Sequence, residues 1–499
     1  MAEATLILKD QLNQEFSIIK QAQKVVLLED TDWADALPHH KKKMTLFFSA
    51  MRHFSDELIL AGKEVIYYPL CEDIDQVFID LSKKDKIQKL HVMEPSEYGV
   101  LEKIKTRAKK HDITLVIHPN EQFLYTGQDF DFKKPPLLET FYRFMRKQTG
   151  ILMDGSKPLG GLWNFDKENR QKAPQTLEVP PTKHFAPDAI TQQVMKEVEK
   201  RFPKNFGSTE GFCFPVTRKD ALKALDDFIQ HRLKLFGPYQ DAMLKNQRTL
   251  FHSLLSPLLN LNILRPLEVV EAVEKAYKMH RASLASCEGF IRQILGWREY
   301  VHQVYKSNMP QYKLKNYFNY KEKLPSFYWD AHTNMECMKE SIEAVVDDGI
   351  NHHIQRLMIT GNFALIAGIN PQEVNDWYHF GYIDALDWVV TPNVLGLSLY
   401  ADGGMIATKP YASSAGYIQK MSNYCKSCPY NPKTTTDKDS CPFNSLYWDF
   451  IDKNKNIFKK NPRMSLMLKI WNQKDETDKV SILKKAQNIK KCLHNKEIL

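Results

Sequence analysis

Residues 4–29 read ATLILKDQLNQEFSIIKQAQKVVLLE, two short runs rich in Ile, Val and Leu separated by a polar turn. ATLILK and KVVLLE have the length and composition of buried strands. Three later runs repeat the texture: EVIYYPL (64–70), KLHVM (89–93) and ITLVIH (113–118). Between the second and third, TLFFSAMRHFSDELILAG sets Phe47, Met51, Phe54 and Leu58 on one helical face and stops at Gly62. Strand–helix–strand alternation predicts a Rossmann-like α/β domain over residues 1–150, with a five-stranded parallel sheet covered on both faces. No G-x-G-x-x-G follows the first strand, so the dinucleotide fingerprint is absent. The first strand runs instead into Asp10-Gln11-Leu12 and the second into Glu29-Asp30. Ligands of open parallel sheets gather at the carboxyl ends of strands, which makes these residues a candidate small-molecule pocket. Turn and cap roles are the competing reading.

The texture changes over residues 151–215. GSKPLGGLWNFDKENRQKAPQTLEVPPTK is rich in Pro, Gly and Lys and reads as an interdomain linker, with Trp163, Asp166 and Arg170 embedded in it. Residues 216–499 are helical in period; DALKALDDFIQHRLKLF, LEVVEAVEKAYKMH and CEGFIRQILGWREYVHQVY are amphipathic and predict a large all-α domain. Hydrophobic residues make up 43% of the 499 and charged ones 26%, ordinary for a globular protein with two or three domains. No apolar run reaches the ~18 residues of a membrane span. The opening MAEATLILKDQLN lacks a basic n-region, so a cytoplasmic monomer is expected. The net charge of +9 suits a polyanionic partner and equally a solvated basic surface.

Eight cysteines include a C-x2-C-x12-C array, Cys425, Cys428 and Cys441 in CKSCPYNPKTTTDKDSCPFN. Cys337, in NMECMKES, is the natural fourth ligand of a metal centre. Proline after Cys428 and Cys441 is a habit of iron–sulfur loops, and the spacing also permits tetrahedral zinc. Cys71, Cys213, Cys287 and Cys492 show no ligand spacing.

Three stretches of the helical half resemble the photolyase/cryptochrome flavoproteins: FHSLLSPLLNLNIL (251–264), GFIRQILGWREYV (289–301) and INHHIQRLMITGNF (350–363), the last followed by YIDALDWVVTPN (382–393). Taken without the family, their serines are helix caps, Trp297 a core residue beside an Arg298–Glu299 pair, and the two histidines satisfied core groups. The resemblance implies that Ser253, Leu255 and Ser256, with Tyr239 upstream, hold the phosphates of FAD, and that Arg356, Asp384, Asp387 and Asn393 hold its ring and ribose. It places His353 as the proton-transferring histidine, and Trp297 and Arg298 beside the lesion. Asp166 then meets the lesion edge or a divalent cation.

With Cys337, Cys425, Cys428 and Cys441, the chain looks like the bacterial branch that carries a 4Fe–4S cluster. That branch implies a 6,7-dimethyl-8-ribityllumazine antenna near Asp10, Gln11, Leu12 and Glu29. Its reaction is light-driven repair of (6-4) pyrimidine–pyrimidone photoproducts in UV-damaged DNA. NVLGLSLY, after the flavin-site Asn, lacks the tryptophan common in the superfamily, which makes Trp377, Tyr378 and Trp329 the candidate electron relay. A cryptochrome-type photoreceptor with the same cofactors is the nearest alternative reading, and a primase-like 4Fe–4S DNA-binding subunit the remote one.

Overall fold

The computed structural model describes residues 2–174 and 176–499. Five parallel strands, β1 (Ala2–Ile7), β2 (Lys24–Asp30), β3 (Glu64–Cys71), β4 (Ile87–Met93) and β5 (Thr114–His118), form one sheet in the order β3-β2-β1-β4-β5. Side chains alternate across it as a pleat requires. Ile7, Val25 and Leu27 join Phe47, Met51, Phe54 and Leu58 of the helix Lys41–Leu60 on one face. Leu6, Val26, Leu90 and Val92 pack on the other face against Val77, Phe78 and Leu81 of Ile74–Lys83 and Ile104 and Ala108 of Val100–Lys110. The doubly wound sheet is the one the strand pattern predicts. Its order reverses between β1 and β4, and a crevice opens there at the carboxyl ends.

Part of residues 151–215 is folded onto this sheet domain. The helix Ala189–Arg201 sets Val194 and Val198, with Phe202 after it, against Ala34, Met44 and Phe48. Lys41 pairs with Glu199 and Arg52 with Glu197, both at 2.6 Å. The Pro- and Lys-rich sequence before this helix hides its periodicity.

The rest is helical, and one continuous core runs from the sheet into it. Backbone bonds close the seam: Leu12 N–H donates to the Leu261 carbonyl (3.0 Å) and His40 N–H to the Phe380 carbonyl (2.8 Å). Three segments wind as π-helix, Arg292–Arg298, Gln355–Gly361 and Pro392–Ser398, each inside or at the end of a motif singled out above. Such turns widen a helix at the cost of weaker bonding and concentrate at functional sites. The last two meet so closely that a Cβ on Gly361 would lie 1.9 Å from Ser398 Oγ.

Candidate functional site

Arg356 leaves its π-turn toward Asp384. Its Nη1 and Nη2 donate to the two carboxylate oxygens at 3.0 and 3.2 Å, a bidentate pair, and Ser256 Oγ donates to Oδ2 at 2.7 Å. Asn260 Nδ2 holds the Asp384 carbonyl at 2.7 Å. Burial pushes the Asp384 carboxyl up, but the guanidinium and these hydrogen bonds outweigh it and leave the pKa below the usual carboxylate value. Tyr382 lies under the guanidinium, 3.9 Å from ring centre to Cζ. Three of the residues predicted to surround one ligand thus meet. Ser253 stands beside them with its Oγ accepting from Leu255 N–H (3.3 Å), so that amide is already partnered. Tyr239 is half-buried against Phe251, and the neighbouring Gln240 keeps a buried Nε2 without a partner.

His353 stands one helical turn from Arg356. It is exposed, and Arg356 and Arg170 lie within charge range of its ring. Burial first, then the Arg356 and Arg170 charges, push its pKa down to about 4. His352 is buried and stacks flat on His252.

Other predicted residues fall elsewhere. Trp297 Nε1 donates to Asn393 Oδ1 (2.7 Å), so the expected lesion contact and flavin contact are bonded to each other and both are half-buried. Arg298 is buried, pairs with Glu299 (2.8 Å) as the reading without the family expects, and donates to the Gln122 carbonyl (3.2 Å). Asp387 faces the domain seam and not Asp384: it accepts from Tyr305 OH (2.8 Å), Thr391 Oγ1 (2.8 Å) and Lys313 Nζ (3.2 Å). Asp166 is already neutralised by Arg292 and by Arg170 at 3.3 Å, so a divalent cation there would have to displace two guanidinium groups.

The strand-end acids also have occupied lone pairs. Glu29 is wholly buried and accepts from Arg52 Nε (2.7 Å) and Nη2 (3.0 Å), Tyr67 OH (2.6 Å) and Leu70 N–H (2.8 Å). It anchors β2, and no acceptor is left for a ligand. Asp10 takes the Ser96 hydroxyl and Gln122 Nε2 (3.1 Å), while Gln11 Nε2 donates to the Met93 carbonyl (3.3 Å) and Leu12 packs in the core. What sequence reading missed at this end is Lys43. Three successive lysines are ordinarily solvated, yet Lys41, Lys42 and Lys43 are all buried. Lys43 Nζ contacts His39 Nδ1 (3.1 Å) and the His379 carbonyl (2.8 Å), with Trp33 at 5.5 Å, and burial pushes its pKa down to about 7. Two histidines directly before three lysines at a helix start, where cations are disfavoured, were the available signal.

Trp377 is fully buried, donates Nε1 to the Tyr328 carbonyl (2.9 Å) and lies 5.3 Å from Tyr378 and 5.1 Å from Tyr328. Tyr378 is 5.2 Å from Tyr382, and Trp329, 43% exposed, stacks on Phe380 at 4.9 Å. Tyr382, Tyr378, Trp377 and Tyr328 thus form one aromatic cluster beside Arg356, and Trp329 packs with Phe380 and Phe206.

The four ligand-candidate cysteines come together. Cys337, Cys425, Cys428 and Cys441 line one cavity with Met335, Ile418, Tyr424 and Tyr430. Burial raises the Cys337 thiol well above its ordinary pKa, and the other three sulfurs raise it further. Burial lifts Cys441 to about 12 and Cys425 to about 11. Thiols so placed lose their protons only to a metal centre that supplies positive charge.

A profile for deoxyribodipyrimidine photo-lyase-related proteins matches residues 5–214. A (6-4) photolyase of Agrobacterium fabrum is 42% identical over 503 aligned residues, spanning 97% of this chain and 98% of that protein. Among solved structures, a bacterial class III photolyase from Agrobacterium tumefaciens aligns with a TM-score of 0.56 at 17% identity, over 84% of this chain and 86% of that one. A Synechocystis cryptochrome aligns at 0.59 and 16% identity, over 84% and 88%. At such low identity these two structures speak for the fold.

Proposed function

The chain belongs to the (6-4) photolyase family, and from that premise we propose that it repairs (6-4) photoproducts in DNA under light. The observation that carries this reading is His353, exposed one turn from the Arg356–Asp384 pair. The donor set suits FAD: the Arg356 guanidinium pairs with Asp384, the Ser256 hydroxyl bonds the same carboxylate, and the buried Gln240 amide nitrogen has no protein partner. When bound in reduced form, FAD supplies the light-excited electron. The chain's own residues supply the rest. Arg356 and Asp384 fix each other and orient the ligand, Trp297 and Asn393 close one wall, and His353 transfers a proton at its ring nitrogen. A lesion must leave the base stack to reach that nitrogen, at a cost of a few kcal/mol that is least for distorted DNA.

The test is repair of oligonucleotides carrying one defined lesion, in light and in darkness. Restoration of the (6-4) photoproduct alone, and only in light, is expected. Repair of a cyclobutane dimer would reassign the substrate. No repair by flavin-loaded protein would favour a photoreceptor.

The four cysteines support a 4Fe–4S cluster over zinc. The four line one cavity, and proline follows Cys428 and Cys441 as it does in iron–sulfur loops. Iron and acid-labile sulfide in equal amounts are expected in purified protein, with both lost in Cys441→Ala. Zinc without sulfide would overturn the assignment.

A lumazine antenna at the strand ends would meet Trp33, His39 and Lys43 rather than Glu29, whose oxygens are all taken. For the relay, Trp377→Phe should slow light-driven flavin reduction about tenfold or more, since phenylalanine keeps the packing and removes the oxidisable indole. An unchanged rate would remove Trp377 from the path.

A further inference from the structure

His352 is buried, and neither of its ring nitrogens meets a hydrogen-bond partner. Its ring lies on His252 with centroids 4.6 Å apart and planes within 8°. His252 is anchored differently. Its Nε2 lies 3.1 Å from the Gln240 carbonyl, and because a carbonyl only accepts, the proton stays on that nitrogen. The charged and titratable groups facing these rings are one another, His353, Arg356 and, for His353, Arg170. Every one of them opposes a second positive charge, so His252 and His352 stay neutral. Leu357, one turn beyond His353, offers no other proton carrier on that helix.

A neutral imidazole carries one N–H and one lone pair. With both free, it can take a proton on one nitrogen and release the other, ending neutral with its tautomer exchanged. His252 cannot do this, because its N–H is committed. Buried polar nitrogens without protein partners are where ordered water sits.

We propose that His352 relays protons through water to His353 and that the His252 ring holds it in place for this. The inference rests on the repair reading above. Once the His353 N–H bond has broken and its proton has gone to the lesion, the emptied nitrogen takes a proton from water. That water is replenished from the His352 N–H, while the other His352 nitrogen takes a proton from a second water. Repair is an isomerisation: the lesion releases to water one proton for the one it takes from His353, that proton balances the one the relay delivers, and no charge accumulates on His352. The relay sets how fast His353 is re-armed.

The test is the repair yield under saturating light in H2O–D2O mixtures. Wild-type protein should give a bowed dependence on deuterium fraction, as two or more protons in flight require. His352→Phe keeps the stack and should lower repair about tenfold, within the usual range for a lost proton-transfer group. Its deuterium dependence should become linear, with FAD content and lesion affinity unchanged, and His352→Gly should regain activity with added imidazole. A His352→Phe protein that repairs normally, or that loses FAD, overturns the relay; the second result would make His352 a cofactor contact. Wild-type protein that repairs neither lesion overturns the relay together with the reading beneath it.

Discussion

His353→Ala is expected to lower light-dependent repair about a hundredfold or more while FAD stays bound, since a positioned general acid contributes 10²–10⁴ to a rate. Flavin retention is expected because Arg356, Asp384 and Ser256 hold one another without His353. The pH dependence gives the sharper check. Burial, Arg356 and Arg170 push the His353 pKa from its ordinary 6.5 to about 4, so the ring is neutral at pH 7 in the free protein. A proton donor must be charged beforehand, and the charged fraction grows as pH falls toward that value. Wild-type repair should therefore rise from pH 8 to 6, by up to about tenfold per unit where this step limits. In His353→Ala the slope should vanish. The repair quantum yield measured across this range decides it: a variant with wild-type yield, or a slope that survives the substitution, removes His353 from the proton step.

Much of this architecture is legible in the chain. Alternating Val25, Val26 and Leu27 announce a strand buried on both faces, and Phe47, Met51, Phe54 and Leu58 announce the helix that covers one of them. Cys337 and the C-terminal array read as one centre across 88 residues because thiol spacing is a local signal. What the chain hides is direction. Asp384 and Asp387 lie three residues apart on matching motif positions, yet one faces Arg356 and the other the Tyr305 hydroxyl. Glu29 at a strand end has the look of a ligand, and only the crossing of the helix Lys41–Leu60 brings Arg52 to saturate it. Arg298 follows the same logic: the motif assigns it to DNA, its neighbour Glu299 offers a pair, and only the fold shows Glu299 and the Gln122 carbonyl both holding it. Pairing of polar groups across elements is a property of the assembled core, which no periodicity encodes.

That last pair carries the largest stability effect expected here. Glu299 is fully buried, and its Oε2 accepts the backbone N–H groups of Leu124 (2.7 Å) and Tyr125 (2.9 Å), while Oε1 faces Arg298. The guanidinium lies 4.4 Å over Phe123 and 5.2 Å over Trp388. Burial raises the Glu299 pKa despite Arg298 and lowers that of Arg298 despite Glu299, so desolvation exceeds the attraction within the pair. Such a pair adds little as a unit but is costly to break. Glu299→Ala strands a buried cation, worth about 3–5 kcal/mol, and leaves two amides unsatisfied at about 1–3 kcal/mol each. Against a total stability of roughly 5–15 kcal/mol, the variant should be barely folded. Glu299→Gln keeps an acceptor for the amides and should fall between, and Arg298→Met added to it should restore much of the loss by removing the stranded charge. Thermal unfolding with flavin release as a second probe measures all three. Glu299→Ala melting within about a degree of wild type would mean that water reaches the pair and that the seam is wet. The same bonds fix the helix that carries Trp297 against the segment after β5, so the loss should reach function too: Glu299→Gln, where it folds, should bind damaged DNA more weakly as Trp297 drifts from Asn393.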